Sequence, residues 1–257
     1  MDASYLWSFL LIFVRITSFM VSAPIFSGRQ LPSQYKIGLS AILSLLCVGL
    51  LDEPNLSSLP QWELTLLILK EIFVGITIGL SAGILFYSVQ MAGALLDFQI
   101  GFFMANLFDP TFETNTQLTG RLKNMLAILV MLSIDGHHLL IQGILASFDW
   151  ISLTATIPSW MDGKVSTFIL DCFKQMFMIG FMMAAPIIGT LFIVDVALGI
   201  ISRTVPQMNI IAIAPPIKIL IHFLIYIMVL PSFFYLLKIL FENMIDSIGS
   251  ILKILGA

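Results

Sequence analysis

Apolar stretches long enough to cross a bilayer dominate this chain, and they decide its fold class before any other feature is read. A spanning helix needs ~20 predominantly apolar residues. Six segments meet or approach that length, at about 4–27, 36–51, 62–89, 124–148, 166–202 and 210–240. Of 257 residues, 59% are hydrophobic and 11% charged, against about a quarter charged in a soluble domain. A water-soluble fold cannot hide that much apolar surface, and no stretch is polar enough to stand apart as a soluble module. The sequence predicts an all-α, polytopic, membrane-inserted helical protein forming a single domain over 1–257, its helices arranged as hairpins.

Several runs are too long for one upright crossing, since ~28 residues of helix reach about 42 Å. Such helices tilt, break or project beyond the bilayer. Pro24 interrupts the first run, Pro186 the fifth, and Pro215, Pro216 and Pro231 the sixth; each removes a backbone donor and is expected to bend its helix. Broken backbone persists at membrane depth only against protein or a cavity, so many of these helices are expected to face protein. Asp2 stands where a secretory signal carries positive charge, and Arg15 interrupts the first run, so that segment is expected to be retained rather than cleaved.

The 12 basic residues are scattered and the net charge is -3, which excludes a phosphate-binding stripe and with it nucleic acid as a partner. Sorted by connector, Arg29, Lys36, Arg121, Lys123 and Arg203 fall on one side and Lys164, Lys238 and Lys253 on the other. The positive-inside rule places the first set in the cytoplasm and both termini outside. Cys47 and Cys172 sit in apolar runs without metal-type spacing and are expected to be small buried side chains.

Between the third and fourth runs, about residues 90–123 form the longest segment not assigned to a crossing. Its centre, Phe102-Phe103-Met104-Ala105-Asn106-Leu107-Phe108, is bulky and apolar; a long loop with such a middle is functional or docked. Glu71, Gly75, Gly79 and Gly83 follow at four-residue steps on one ridge of the third run, and small residues so spaced let another helix approach closely. Gly93, Asp97 and Gly101 repeat the spacing and extend the surface if the helix continues.

Charge at membrane depth costs about 2.5–3.5 kcal/mol on insertion scales, so Arg15, Lys70, Glu71, Asp135, Asp171, Lys174, Asp195 and Lys218 each demand a reason. Pairing between helices is one reading and a proton relay the other, with Glu71, Asp195 and Lys218 as the candidates. Lys70 and Glu71 are neighbours pointing ~100° apart on a helix, so each is expected to need another partner. In Asp135-Gly136-His137-His138 adjacent histidines are expected to face different sides, so no metal is assigned. Met176, Met178, Met182 and Met183 are expected chiefly to fill core. Nucleotide-binding loops and hydrolase motifs are missing from any supporting context, which argues against an enzyme and assigns no cofactor.

Taken in order, Val14-Arg15-Ile16-Thr17, Ala23-Pro24-Ile25-Phe26, Leu31-Pro32, Asp109-Pro110, Asp135-Gly136-His137-His138-Leu139-Leu140 and Ser202-Arg203-Thr204-Val205-Pro206-Gln207-Met208-Asn209 resemble the FliR family of flagellar biosynthetic proteins. The likeness extends from about residue 8 to about residue 240. One departure is Ile210-Ile211 with Ala214-Pro215-Pro216, where the family leads one to expect an aromatic residue and a Gly-Phe-Pro-like turn. The resemblance implies a non-enzymatic subunit of the flagellar type III export gate in the bacterial inner membrane and flagellar basal body. It also implies assembly with FliP and FliQ homologues into a multi-subunit helical core, an FlhB homologue at the entrance, and unfolded flagellar proteins in transit. It places a pore plug at about 102–120, with Phe102, Phe103, Met104, Asn106, Phe108, Asp109 and Pro110 as its residues. Gly75, Gly79, Gly83, Arg203, Pro206 and Asn209 are assigned to helix packing and assembly. A homologous subunit of a virulence-type III secretion system shares much of the pattern; a stand-alone proton-coupled transporter built around Asp195 and Lys218 is the reading from a different class.

Overall fold

The computed structural model describes residues 3–28, 31–50, 60–101, 117–155, 163–205, 207 and 209–256, which are helices joined by short turns and contain no strand. Among them run seven helices: α1 (Ala3–Ser22), α2 (Ser33–Val48), α3 (Gln61–Ile100), α4 (Leu118–Ser133), α5 (Gly136–Trp150), α6 (Lys164–Thr204) and α7 (Ile210–Gly256). Four are long and apolar enough to cross a membrane, and the bent pair α4–α5 supplies a fifth crossing if counted as one. The chain is an all-α polytopic membrane protein.

The described helices offer fewer crossings than the six apolar runs, for two reasons. The second run folds as α2, whose 16 residues fall short of the ~20 a crossing needs. The fourth is cut at Asp135, which adopts a left-handed backbone (φ 56°) and whose carbonyl accepts from the His138 N–H at 2.9 Å to start α5. Conversely, α3 continues past its apolar run to Ile100, because Ala92, Leu96 and Ile100 keep a buried stripe at four-residue spacing. It stops at Gly101 (φ 93°), a conformation that glycine adopts without a Cβ penalty.

The prolines behave differently from one another. Pro186 lies inside α6, and Pro215, Pro216 and Pro231 lie inside α7; both helices continue through them, so of the broken or over-long helices expected these two are over-long. Each proline removes one intrahelical bond, too little to end helices of 41 and 47 residues. Pro24 follows the end of α1, where Ile25 turns the chain at φ 69°.

The chain gathers into two compact units. The first comprises Met1–Phe86, Met131–Lys174 and Phe241–Ala257. In it the buried face of α1, with Leu11, Ile12, Ile16 and Phe19, meets the glycine ridge of α3. A Cβ on Gly75 would run into the Arg15 carbonyl, one on Gly79 would lie 2.9 Å from both the Phe19 carbonyl and the Ala23 nitrogen, and one on Gly83 3.1 Å from the Ser22 carbonyl. The helix that fills this ridge is therefore the chain's own α1.

The second unit comprises Tyr87–Val130 and Gln175–Leu240. Here Gly93 of α3 meets the backbone of Gly120 in α4, and a Cβ on Gly180 of α6 would lie 3.0 Å from the Ser88 carbonyl. Met183 is buried, whereas Met178 and Met182 are exposed beside Phe177 and Phe181. Core filling thus describes Met183 but not those two. Cys172 is buried and Cys47 only partly so.

Candidate functional site

In the first unit, a fully buried arginine ties α1, α3 and α5 together. Arg15 Nε–H donates to Glu71 Oε2, and Nη2 donates to Glu71 Oε1 at 3.0 Å. Its remaining donors reach the Ser147 hydroxyl and carbonyl, both at 3.1 Å, and the Ile151 carbonyl at 3.0 Å. The guanidinium carbon lies 4.4 Å from the centre of the Phe148 ring. This fork-to-carboxylate geometry is what makes an arginine tolerable in a dry interior.

Lys70 completes the network. Its Nζ lies 2.8 Å from Glu71 Oε1 and donates to the Ser152 and Leu153 carbonyls at 2.8 and 2.9 Å. The expectation that adjacent Lys70 and Glu71 do not pair is corrected: the four-carbon lysine stem spans the angular gap that their Cα positions leave. Both also have the further partners that the sequence demanded. Glu71, a relay candidate, thus accepts from two cations in a closed network.

In the second unit, the base of the segment between α3 and α4 is clamped. Asp97 of α3, 5% exposed, accepts from the Thr119 N–H through Oδ1 at 3.0 Å and from the Gly120 N–H through Oδ2 at 3.2 Å. A helix start leaves four amides without intrahelical acceptors, and here a carboxylate from another helix satisfies two while complementing the positive end of the dipole. Asp97→Ala is expected to cost about 0.5–2 kcal/mol, read as a lower unfolding midpoint together with faster amide exchange confined to the first turn of α4.

The same unit joins the other two relay candidates. Lys218 Nζ of α7 pairs with Asp195 Oδ1 of α6 and donates to the Gln99 carbonyl at 3.2 Å. Gln99 Nε2 of α3 donates to Asp195 Oδ2 at 2.9 Å. Three helices are tied by one mutually satisfied group. Gln99 escaped the sequence reading because a neutral amide near a helix end carries no charge signal.

The plug residues Phe102, Phe103, Met104, Asn106, Phe108, Asp109 and Pro110, and Pro206 of the assembly set, lie outside the described residues. Arg203 is exposed in the last turn of α6, where a cation complements the helix dipole. Asn209 is exposed, and its carbonyl accepts from the Ala212 and Ile213 amides at 3.1 and 3.3 Å as α7 begins. Lys123, read from sequence as a cytoplasmic loop charge, is 1% exposed inside the second unit.

Asp135, His137 and His138 also depart from expectation. Their potential ligand atoms all lie within 4.8 Å of one another, and the two imidazole centres are 4.1 Å apart. The argument that adjacent histidines diverge fails here because the left-handed turn at Asp135 and the start of α5 gather them. They sit, however, at the positive end of α5, which disfavours a cation.

Long apolar helices locked by buried charge networks define an integral membrane protein. Residues 6–244 match the family described as bacterial export proteins, family 1, and the chain belongs to that family. It is 38% identical to the flagellar biosynthetic protein FliR of Bacillus subtilis (strain 168) over 249 residues, covering 97% of this chain and 96% of that protein. It is 32% identical to the protein of the same name from Pectobacterium carotovorum subsp. carotovorum over 251 residues, covering 95% and 92%. The Yop proteins translocation protein T of Yersinia pestis is 28% identical over 218 residues, covering 83% and 82%. The chain is an integral membrane component of a type III protein export apparatus.

Proposed function

We propose that this chain is a non-enzymatic subunit of the export gate in the bacterial inner membrane, assembling with FliP and FliQ homologues, and with an FlhB homologue at the entrance, into a channel for unfolded flagellar proteins. The reading rests chiefly on the near full-length likeness to flagellar FliR proteins. The uneven burial of the helices supports it. In its most apolar stretch α3 is 72% buried within the chain, whereas the corresponding stretch of α7 is 17% buried. Exposed apolar faces on helices longer than a bilayer require lipid along part of their length and protein along the rest. Co-purification of untagged FliP and FliQ homologues with this chain is the expected result; a chain that purifies alone after co-expression would refute the assembly.

The segment 102–120 is the proposed plug, excluding water and ions in the idle gate and yielding to an arriving chain. Deleting residues 106–116 is expected to leave assembly intact and to raise ion conductance through the closed gate, measured in planar bilayers. Unchanged conductance in an assembled deletion complex would remove the plug assignment. Asp195 and Lys218 are read as a structural pair, because Gln99 and each other satisfy them. The Yersinia relative makes the virulence-type system the alternative setting for the same subunit role.

A further inference from the structure

The turn that parts α4 from α5 carries a cluster that neither the buried networks nor the clamp uses. Asp135, His137 and His138 each bring a potential metal-ligand atom to within 4.8 Å of the others, and all three belong to the first unit. The two imidazole centres stand 4.1 Å apart with their planes 34° from parallel. The Asp135 and His138 side chains are 75% and 63% exposed, so an ion can reach them.

The details differ from those of an ordinary helix start. An aspartate in this position usually turns its carboxylate onto the amides of the first turn, but Asp135 makes no such side-chain bond. Its Oδ1 lies instead 3.5 Å from His138 Nδ1. That is long for a good N–H···O bond and close to the ~3.3 Å that separates two ligands of a tetrahedral zinc ion. His137 Nδ1 is buried with no hydrogen-bond partner among the described residues, and a buried polar atom in that state needs a reason. A surface pair of Asp135 and His138 alone accounts for neither the missing cap nor the His137 nitrogen. The backbone holds the cluster in place: Asp135 is left-handed at φ 56°, and a Cβ added to Gly136 would lie 2.9 Å from Met131 Cγ and 3.1 Å from the Met131 carbonyl.

Two imidazoles and a carboxylate suit a first-row transition ion rather than magnesium or calcium, which take oxygen ligands. A pair of histidines with one carboxylate, further positions being left to water, is a zinc arrangement. The exposed N-terminus of α5 opposes a cation by no more than about fivefold in affinity, and the full charge of Asp135 outweighs the half charge of the dipole there. We propose that Asp135, His137 and His138 bind one divalent ion of the zinc class and that this ion fixes the turn at which α5 begins. Asp135 closes the turn and both histidines lie in the first turn of α5, so coordination ties the residue that sets the turn to the helix that follows it.

The test adds the metal ion to the full-length chain, purified in detergent without a polyhistidine tag and stripped with a chelator. Cobalt(II) is expected to bind at one equivalent per chain, seen in its visible absorption, and zinc to displace it. Zinc is also expected to raise the unfolding midpoint, as a ligand of the folded state does, and magnesium to do neither. Both His138→Ala and Asp135→Asn change exposed side chains, and asparagine tolerates a left-handed backbone as aspartate does. Each is expected to weaken binding by more than about 100-fold, since even the outer partners of a metal site are worth about 10–100-fold. Of the three histidines the remaining one, His222 of α7, is 1% exposed in the second unit. It is stacked on Tyr226, whose ring and that of Phe233 lie 5.5 and 5.2 Å from Lys123 Nζ of α4. Failure of the unmodified chain to take up cobalt or zinc overturns the proposal. So does uptake that survives His138→Ala and Asp135→Asn unchanged, which would mark an adventitious ion only, or a rise in midpoint that magnesium produces equally.

Discussion

Glu71→Leu is expected to destabilise the protein by about 3–5 kcal/mol, the range for removing one partner of a buried ion pair. Arg15 and Lys70 would be left as two buried cations, held only by the Ser147, Ile151, Ser152 and Leu153 oxygens. The measurement is the unfolding midpoint in detergent of the purified chain. A second variant separates net stability from the penalty of orphaned charge: replacing Arg15, Lys70 and Glu71 together by apolar residues should recover most of the loss, because all three desolvation costs disappear. A loss under ~1 kcal/mol for Glu71→Leu, typical of exposed pairs, would mean that water reaches the network.

Gly79→Leu is expected to cost about 3 kcal/mol, the upper part of the overpacking range. The nearest atom in its way is the Ser22 hydroxyl, which can rotate aside, and behind it stand the Phe19 carbonyl and the Ala23 nitrogen, both 2.9 Å from the added Cβ. Backbone cannot turn aside as a side chain would, so α1 must move off α3. Gly189 of α6 has nothing within 4 Å of an added Cβ, and Gly189→Leu supplies the control, expected within about 0.5 kcal/mol of the parent. Equal midpoints for the two variants would show that α1 does not depend on the ridge. Since α1 of the same chain occupies this groove, a failure of Gly79→Leu to co-purify with partners would report disturbed folding of the subunit as much as a lost interface.

The sequence spoke clearly where the physics is that of composition and spacing. Apolar run length defined the membrane class, and the glycine steps marked the close approach that α1 makes. It spoke less clearly where side-chain reach matters. Lys70 and Glu71 looked divergent from their Cα directions, yet a flexible lysine closes the gap. Lys123 looked like a loop cation because it precedes an apolar run, but α4 begins at Leu118 and turns it inward onto Tyr226 and Phe233. His222 and Gln99 gave no pattern of their own, since their partners come from other helices. Asp97 was legible only conditionally, through the four-residue step from Gly93, and its capping role needed the start of α4 to be known.

The wiring of Arg15 also carries a consequence for biosynthesis. Its carboxylate partner lies 56 residues downstream and its last carbonyl acceptor 136 residues downstream. At about 5–20 residues per second, the ribosome delivers Glu71 roughly 3–11 s after Arg15, and Ile151 roughly 7–27 s after it. Until Glu71 is made, α1 carries a cation that lipid penalises and that lacks its carboxylate partner. A nascent chain interrupted before Glu71 therefore lacks the carboxylate that balances Arg15, and one interrupted before Ser147 still lacks the oxygens that satisfy its remaining donors. Full satisfaction of that arginine, and with it the locking of α1 to α3 and α5, waits until the chain has been made through Ile151.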